Sequence, residues 1–398
     1  MPPPSARLIA RDLAALPLWY GDNEGAVLLP NAFEIEKDTP LAALPDAERR
    51  CFYEGSDLSE IENAIPWGWS AAVAKRFRRL GINPSQLPDK QQLERLRELS
   101  NRSFSVELLR ALAADGFELE VGVPEILRSP AEVRRFVEQY PDTILKAPWS
   151  GSGKGLWRGI GQYNLSVERW SNGIIKRQQF VVGERFQNKI IDFALQFYSD
   201  GVGEVHFAGY SLFCTDEKGA YKGNVLAPDA AIEQRITTYC NGEKLHALRR
   251  WLCNYFSVHI APHYKGYFGV DMLCFGKGDG HYGLHPCVEV NLRMTMGMVS
   301  RILYDRHIAS GREGFFQIDC HDQPGVLLAN HLERTKRQPA DTYLSLTPVN
   351  YDTQYHAWVV MKTIPRHCEE HSDEAIQYQI IESSDVHPGS PRCARDDV

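Results

Sequence analysis

Thr143-Ile-Leu-Lys146-Ala-Pro-Trp-Ser150-Gly151-Ser152-Gly153-Lys154-Gly155-Leu156 decides how the chain is read. A short β-prone run ends on a lysine, and three glycines with a second lysine follow at once. Glycines leave backbone N–H groups bare, with no side chain to hold a phosphate away, so the loop suits an anionic ligand. Two common nucleotide motifs fail on spacing. The Walker loop requires Gly, four residues, then Gly-Lys-Ser/Thr. With Gly153-Lys154 as the pair, Pro148 stands at its first glycine and Gly155 at its hydroxyl position. The dinucleotide fingerprint puts Leu156 at its third glycine. Leu156-Trp-Arg158 then reads as extended, so a glycine flap between two strands fits better than a strand-to-helix cradle.

The chain around this loop has 398 residues, enough for two or three domains or lobes. A hydrophobic content of 43% can fill a sizeable core. The formal net charge of −7 argues against a general nucleic-acid binder, which would carry a basic excess. Lys75-Arg76 and Arg78-Arg79 read as a solvated helix face. No apolar run approaches the ~18 residues of a membrane helix, and Met1-Pro-Pro-Pro is unlike a signal peptide. Nine cysteines without a Cys-x-x-Cys pair read as reduced thiols, and a cytoplasmic protein is expected.

Upstream of the loop, Asn101 to Ala114 has Phe104, Leu108, Leu109 and Leu112 at helical spacing, and Gly116 stops it. Ser129-Pro130-Ala131-Glu132 is a capping box before a second helix that ends at Pro141. The order is therefore helix, short strand, helix, strand with lysine, glycine loop. Before residue 100, a strand at Ala26–Leu29 and helices at Ser70–Leu80 and Gln91–Leu99 are expected. Trp67 and Trp69 flank Gly68 and read as packing residues more readily than as a cleft lining. Downstream, Gly173 to Val182 reads as β-rich. Gln178 and Gln179 there are either a connector that offers backbone groups to an adenine edge or exposed strand polars. Lys189–Tyr198 and Val205–Cys214 read as further strands, and Asp229–Phe256 as two helices.

The carboxylates lie beyond these helices. Tyr267 to Phe275 reads as a strand carrying Asp271, then a glycine-rich turn, then a strand from Tyr282 to Asn291. Residues two apart on a strand share a face, so Glu289, Asn291 and Arg293 fall on one side, and Val288, Val290 and Leu292 on the other. Two carboxylates and an amide oxygen are hard donors suited to Mg²⁺ shared with phosphates. Arg293 on that face could steady a developing anion. A solvated sheet face would show the same alternation. A zinc site from His281, His285 and Cys287 lacks a fourth ligand at proper spacing.

Taken in order, these residues resemble the ATP-grasp superfamily over about 100–300. The carriers are the Ser100-Asn-Arg-Ser-Phe-Ser helix, Ile144-Leu-Lys146-Ala-Pro, Gly151 to Gly155, Gln178-Gln-Phe-Val, Asp271, and Glu289-Val-Asn291 with Gly297-Met298 after it. The resemblance implies an α+β (α/β) ATP-grasp fold, with two lobes of antiparallel sheet gripping ATP behind an N-terminal lobe. The expected divisions are 1–100, the N-terminal substrate lobe; 101–182, the small lobe with the glycine loop; 183–300, the large lobe with the metal site; and 301–365, an extension. Lys146 would contact the α- or β-phosphate. Ser150, Gly151, Ser152, Gly153, Lys154 and Gly155 would close over the β- and γ-phosphates. Gln178, Gln179, Phe180 and Val181 would face the adenine, and Glu184 the ribose. Asp271, Glu289 and Asn291 would hold Mg²⁺, with Mn²⁺ as an alternative, and Arg293 would steady an acyl phosphate. The hinge carries glutamines where many members have an acid, and Gly183-Glu184 is spaced slightly short.

The implied reaction is ATP- and Mg²⁺-dependent ligation: a small-molecule carboxylate becomes an acyl phosphate and is captured by an amine, or less often a thiol. A kinase on the same fold and a non-catalytic nucleotide-binding protein are the competing readings. Neither nucleic acid nor membrane is an expected partner. In the extension, strands are expected at Gly325–Ala329, Tyr343–Leu346 and Ala357–Met361. From Arg366 the character changes, and Arg366-His-Cys-Glu-Glu-His resembles a translated bacterial intergenic repeat. Residues 366–398 are expected to be a disordered tail, whose Cys368 and Cys393 are not a metal site.

Overall fold

The structure, a computed structural model, describes residues 4–22, 25–30, 40–44, 46–47, 50–53, 55–56, 58, 61–150, 155–160, 163–216, 221–278, 280–337 and 342–362. Gly151, Ser152, Gly153 and Lys154 of the glycine loop lie outside these residues, as does the tail 366–398 with Cys368 and Cys393.

The elements run in the order α1 (Pro4–Asp12), α2 (Pro17–Tyr20), β1 (Val27–Leu29), β2 (Cys51–Tyr53), α3 (Ala71–Arg79), α4 (Lys90–Leu99), α5 (Arg102–Ala114), β3 (Glu125–Leu127), α6 (Pro130–Gln139), β4 (Asp142–Lys146) and β5 (Leu156–Ile160). There follow α7 (Leu165–Gln178), β6 (Val181–Arg185), β7 (Lys189–Asp200), β8 (Val205–Thr215), β9 (Tyr221–Leu226), α8 (Asp229–Thr237) and α9 (Gly242–His259). The last are β10 (Lys265–Gly276), β11 (Tyr282–Asn291), α10 (Met296–His307), β12 (Glu313–Cys320), α11 (Val326–Arg337), β13 (Tyr343–Ser345) and β14 (Tyr355–Lys362). This is the expected mixture of helices and antiparallel sheet; β1 and β2 are a parallel pair.

The chain divides into two compact units. One comprises Met1–Asp57, Gly223–Ala231 and Ile302–Val398; the other comprises Leu58–Lys222 and Ile232–Arg301. In the first, β12 pairs antiparallel with β9 and β14, and β13 completes the set on β14. Asp12 accepts from the backbone N–H groups of Gln354 and Tyr355, fastening the start of the chain to β14.

The second unit carries all the described candidate site residues. Its small sheet has the antiparallel order β3-β6-β4-β5. Val133, Phe136 and Val137 of α6, with Val167 and Ile174 of α7, pack with Leu127, Leu145 and Val181 of that sheet. In the larger sheet β10 lies between β7 and β11, and β8 pairs with β7, all antiparallel. Leu245, Leu248, Leu252 and Phe256 fall at helical spacing on α9 and are wholly buried. Phe256 meets Phe197 and Phe268 with ring centroids 5.3 and 5.2 Å apart. These buried rings pack α9 against β7 and β10, the strand that carries Asp271.

Two expected strands are helices instead. Gly173 to Gln178 is the end of α7, which starts at Asn164, whose side chain accepts from the N–H groups of Ser166 and Val167. Val167, Ser171 and Ile174 form its buried stripe. The β-branched Ile174 and Ile175 favour extended backbone locally, but the cap and the stripe outweigh that preference. Gln179 ends the helix at a left-handed φ of 75°. Likewise Gly325–Ala329 leads into α11 rather than forming a strand, and Gly325 at φ 79° precedes its first turn.

Candidate functional site

Lys146 ends β4, and β6 runs beside it with Ile144 opposite Glu184 and Lys146 opposite Val182. The two ionic side chains are therefore diagonal neighbours on one face. Lys146 Nζ lies 2.7 Å from Glu184 Oε2, and the side chains are only 6% and 10% exposed. Burial pushes the Glu184 carboxyl up, but Lys146 and His285 more than offset this and hold it at about 2. His285 of β11 approaches the same oxygen at 3.5 Å. Its Nδ1 is buried without a hydrogen-bond partner among the described residues. A recess of about 150 Å³ opens here, lined by Val121, Pro124, Tyr140, Gly183, Glu184 and His285 among others.

The glycine loop leaves and re-enters at one place. Ala147 N–H donates to Gly155 O at 2.8 Å. Gly155 has φ 74°, and a Cβ there would fall 2.6 Å from that of Ser150, so a larger residue cannot close the loop this way. Arg102, at the start of α5, reaches this base. Its Nη1 donates to Ser150 Oγ at 2.6 Å and also to Ala147 O, while its Nη2 is 3.0 Å from Glu289 Oε2. One buried guanidinium thus links the loop base to the acidic strand.

Beyond Arg102 the acidic strand pair is completed. Asp271 of β10 is directly opposite Glu289 of β11. The register then shifts, because Leu273 is opposite His285. Pro286 lies inside this irregularity, where a residue without an N–H does not disrupt a regular ladder. Asn291 Nδ2 donates to Asp271 Oδ2 at 2.9 Å, and Arg293 Nη2 donates to Asn291 Oδ1 at 2.8 Å. Burial, then the Glu289 charge, raise the Asp271 carboxyl to about 7. Gly68 packs against Arg293, whose Cβ would lie 3.0 Å from a Cβ at that position, and Met294 N–H donates to Trp67 O at 2.8 Å. Of the two tryptophans flanking Gly68, Trp69 packs edge-on against Phe77, with ring centroids 5.9 Å apart.

The structure thus pairs Lys146 with Glu184, links Ser150 to Glu289 through Arg102 beside the loop base at Gly155, and bonds Asn291 to Asp271 and Arg293. The hinge residues are placed differently from a strand of exposed polars. Gln178 Oε1 accepts from Trp149 N–H at 3.0 Å, and Gln179 is the helix cap. Phe180 and Val181 are buried among apolar neighbours. Arg102 and His285 complete the cluster. Nothing in the local sequence around Arg102 marks it, because its partners are 45 to 187 residues away in the chain.

The residues fit a divalent cation chemically. Two facing carboxylates, one raised to about 7 by its surroundings, concentrate negative charge that a hard cation relieves. Among the described residues no group of three or more His, Cys, Asp and Glu converges. The third oxygen donor of this set is the amide of Asn291, and the zinc reading at His281, His285 and Cys287 gains nothing. Among the described residues no helix is long and apolar enough to cross a membrane.

No protein-family model matches the chain, and no curated protein matches it. Solved structures do. The biotin carboxylase domain of Hydrogenobacter thermophilus 2-oxoglutarate carboxylase, in complex with MgADP, ADP and bicarbonate, is 13% identical over 68% of this chain and 63% of that one, with a TM-score of 0.46. Carboxyaminoimidazole ribonucleotide synthase from Aspergillus clavatus, complexed with ATP, is 14% identical over 73% of this chain and 74% of that one, with a TM-score of 0.45. N5-carboxyaminoimidazole synthetase from Staphylococcus aureus, complexed with ADP, is 12% identical over 88% of this chain and 84% of that one, with a TM-score of 0.46.

Proposed function

We propose that this chain is an ATP- and Mg²⁺-dependent carboxylate–amine ligase of the ATP-grasp type. The observation that carries the reading is that one unit holds the Lys146–Glu184 pair, the Ser150–Arg102–Glu289 link and Asn291 bonded to Asp271 and Arg293, with Asp271 opposite Glu289 on paired strands. On this reading residues 101–182 are the small lobe and 183–300 the large lobe. A purely structural network has no need to put two carboxylates face to face on paired strands.

Lys146, once its ammonium exchanges Glu184 for a phosphate, supplies positive charge at the α- or β-phosphate. Ser150 and Gly155 close the loop base over the β- and γ-phosphates, and Gly151 to Lys154 complete it. Phe180, Val181, Gln178 and Gln179 mark the adenine side, and Glu184 the ribose. Asp271, Glu289 and Asn291 would hold Mg²⁺, which neutralises phosphate charge when bound. Arg293, already aimed at Asn291, is the cation that steadies an acyl phosphate as an amine attacks it. Catalysis then comes chiefly from positioning and charge neutralisation. A panel of amino acids and small carboxylates, scored by ADP release and mass spectrometry of products, tests the reading. A new amide supports it, a phosphorylated hydroxyl product indicates a kinase, and ATP binding without ADP release across the panel indicates a non-catalytic binder.

Two further outcomes are expected. Asp271 keeps its proton to about pH 7 when folded but only to about 3.9 in a free chain. Between those values the folded state binds more protons, so stability falls as pH rises. Added Mg²⁺ is therefore expected to raise Tm more at about pH 7.5 than at about pH 5. Equal increments at both pH values would count against a metal at Asp271. Arg102→Lys keeps the charge but loses the fork that spans Ser150 and Glu289. It is expected to raise the KM for ATP about tenfold, roughly one lost charge-assisted hydrogen bond, which steady-state kinetics would measure.

A further inference from the structure

Among the described residues, the buried Glu184 carboxylate has two basic neighbours, on two different strands. Lys146 Nζ of β4 is 2.7 Å from Glu184 Oε2, and His285 Nε2 of β11 is 3.5 Å from the same oxygen. The His285 side chain is only 5% exposed, and its Nδ1 is buried without a hydrogen-bond partner among the described residues. Leu273, opposite it on β10, is apolar. The imidazole is thus held at the outer edge of hydrogen-bond reach, beside a carboxylate that Lys146 already neutralises. The other charged groups around it have partners of their own. Arg185 of β6 lies over the Tyr140 ring at 4.3 Å, and Tyr140 OH accepts from Gln139 Nε2 at 3.0 Å. Glu125 of β3 is 3.0 Å from Arg135, and Glu120, which accepts from Leu284 N–H, is 3.0 Å from Lys244. Arg102 of α5 holds Ser150 and Glu289, and Asp271 of β10 holds Asn291. On β11 itself, burial raises the Cys287 thiol to about 12 and keeps it neutral.

We propose that His285 is a positioning residue: it takes over Glu184, as an imidazolium, when Lys146 leaves that carboxylate for a nucleotide phosphate, so that ATP binding draws in a proton. This role rests on the phosphate contact proposed for Lys146 above. Removing one partner of a buried ion pair strands the other charge. Lys146 carries its positive charge to the phosphate, and Glu184 then needs another cation. Ribose hydroxyls can donate to the carboxylate but bring no positive charge. His285 is already at the same oxygen, and histidine is the side chain that gains a charge near neutral pH. Because Glu184 is ionised and accepts, Nε2 of the neutral ring carries the hydrogen that faces it. The incoming proton therefore goes to Nδ1, the ring atom without a partner. The recess of about 150 Å³ that His285 lines has room for a water to deliver that proton and then accept from Nδ1–H. One N–H bond forms, and the nucleotide is unchanged. The complex holds one proton more than the free chain, so ATP binds more weakly as pH rises. The slope reaches about tenfold per pH unit where His285 is neutral in the free chain and charged in the complex.

The full chain is titrated with MgATP by calorimetry at about pH 8, in two buffers of different ionisation enthalpy, which counts the protons exchanged. At that pH Asp271, at about 7, has already lost most of its proton, and the phosphates are ionised, so neither disturbs the count. The expected result is uptake approaching about one proton per nucleotide. Nitrogen-15 spectra of the histidine-labelled chain place that proton. The His285 ring, identified by the loss of its signals in His285→Gln, is expected to change from one bare and one protonated nitrogen to an imidazolium when MgATP is added. Lys146→Met removes the lysine charge with no nucleotide present, and the same imidazolium signature is expected there at a pH where the wild-type ring is neutral. The wild-type measurements decide by themselves if that variant misfolds. ATP binding without proton uptake, or uptake with the His285 ring still neutral and the proton on Glu184, would overturn this role and leave the ligase reading intact. A chain that binds no ATP would overturn both.

Discussion

Glu289→Gln is expected to lower ADP release on the order of 10²–10³-fold, the scale seen when one charge-stabilising group is removed from an active site, while the fold survives. The reason is geometric. Glu289 faces Asp271 directly across the strand pair, and its other contact, at 3.0 Å, is to the Arg102 guanidinium. Glutamine keeps an oxygen that accepts from Arg102, so the loop base stays tethered, but it removes half the charge available to a cation. Asn291→Ala should have a comparable effect by another route. It removes a neutral oxygen and unties both Asp271 and Arg293. Far-ultraviolet circular dichroism would check the fold, and ADP release would check turnover. Wild-type-like release from either variant would sink the metal assignment. A second consequence separates charge from packing: with Glu289 neutral, one of the two main causes that raise Asp271 is gone, so the pH dependence of Tm between about 4 and 7 should flatten in Glu289→Gln.

The second large effect is expected at the buried Lys146–Glu184 pair. Removing one partner of a buried ion pair leaves the other charged and desolvated, which costs roughly 3–5 kcal/mol. Glu184→Gln should therefore destabilise the protein on that scale, and Lys146→Ala similarly. The double variant should be less unstable than the two losses added, because neither charge is then left alone. The same pair sets an acid limit. The Glu184 carboxyl is depressed to about 2, below the roughly 4.3 of a free glutamate. Its contribution is therefore fully present above about pH 4.3 and is lost as pH falls toward 2. Thermal unfolding across that window should show a steeper acid loss in the wild type than in Glu184→Gln. For ATP the two variants should part company: Lys146→Ala should weaken binding, because a phosphate loses its cation. Unchanged ATP affinity of Lys146→Ala by calorimetry would count against its phosphate role.

Local patterns made much of this legible. Asn101, Ser129 and Asn241 cap helices whose apolar stripes repeat at helical spacing. The alternation of β11 places Glu289 and Asn291 toward Asp271 and buries Val290. Where local preference and tertiary packing disagreed, packing won. Ile174 and Ile175 suit a strand, yet Val167, Ser171 and Ile174 are buried along one stripe of a capped helix, so Gln178 caps a contact to Trp149 instead of lying along a strand.

By itself, the sequence placed the residue types that the proposed chemistry would need: Lys146 at a strand end, glycines after it, Asp271 on one strand, Glu289 and Asn291 on the next, and Arg293 just past its end. These are matters of spacing along one element, where geometry repeats every two or 3.6 residues. Only the tertiary structure decided the partners. It joined Glu184 to Lys146 and His285, and Arg102 to Ser150 and Glu289. Each of these contacts spans tens of residues or more, and no local periodicity encodes it. It exists because β4 pairs with β6 and β10 with β11, and the packing of these elements buries the side chains and forces the charged ones to find each other.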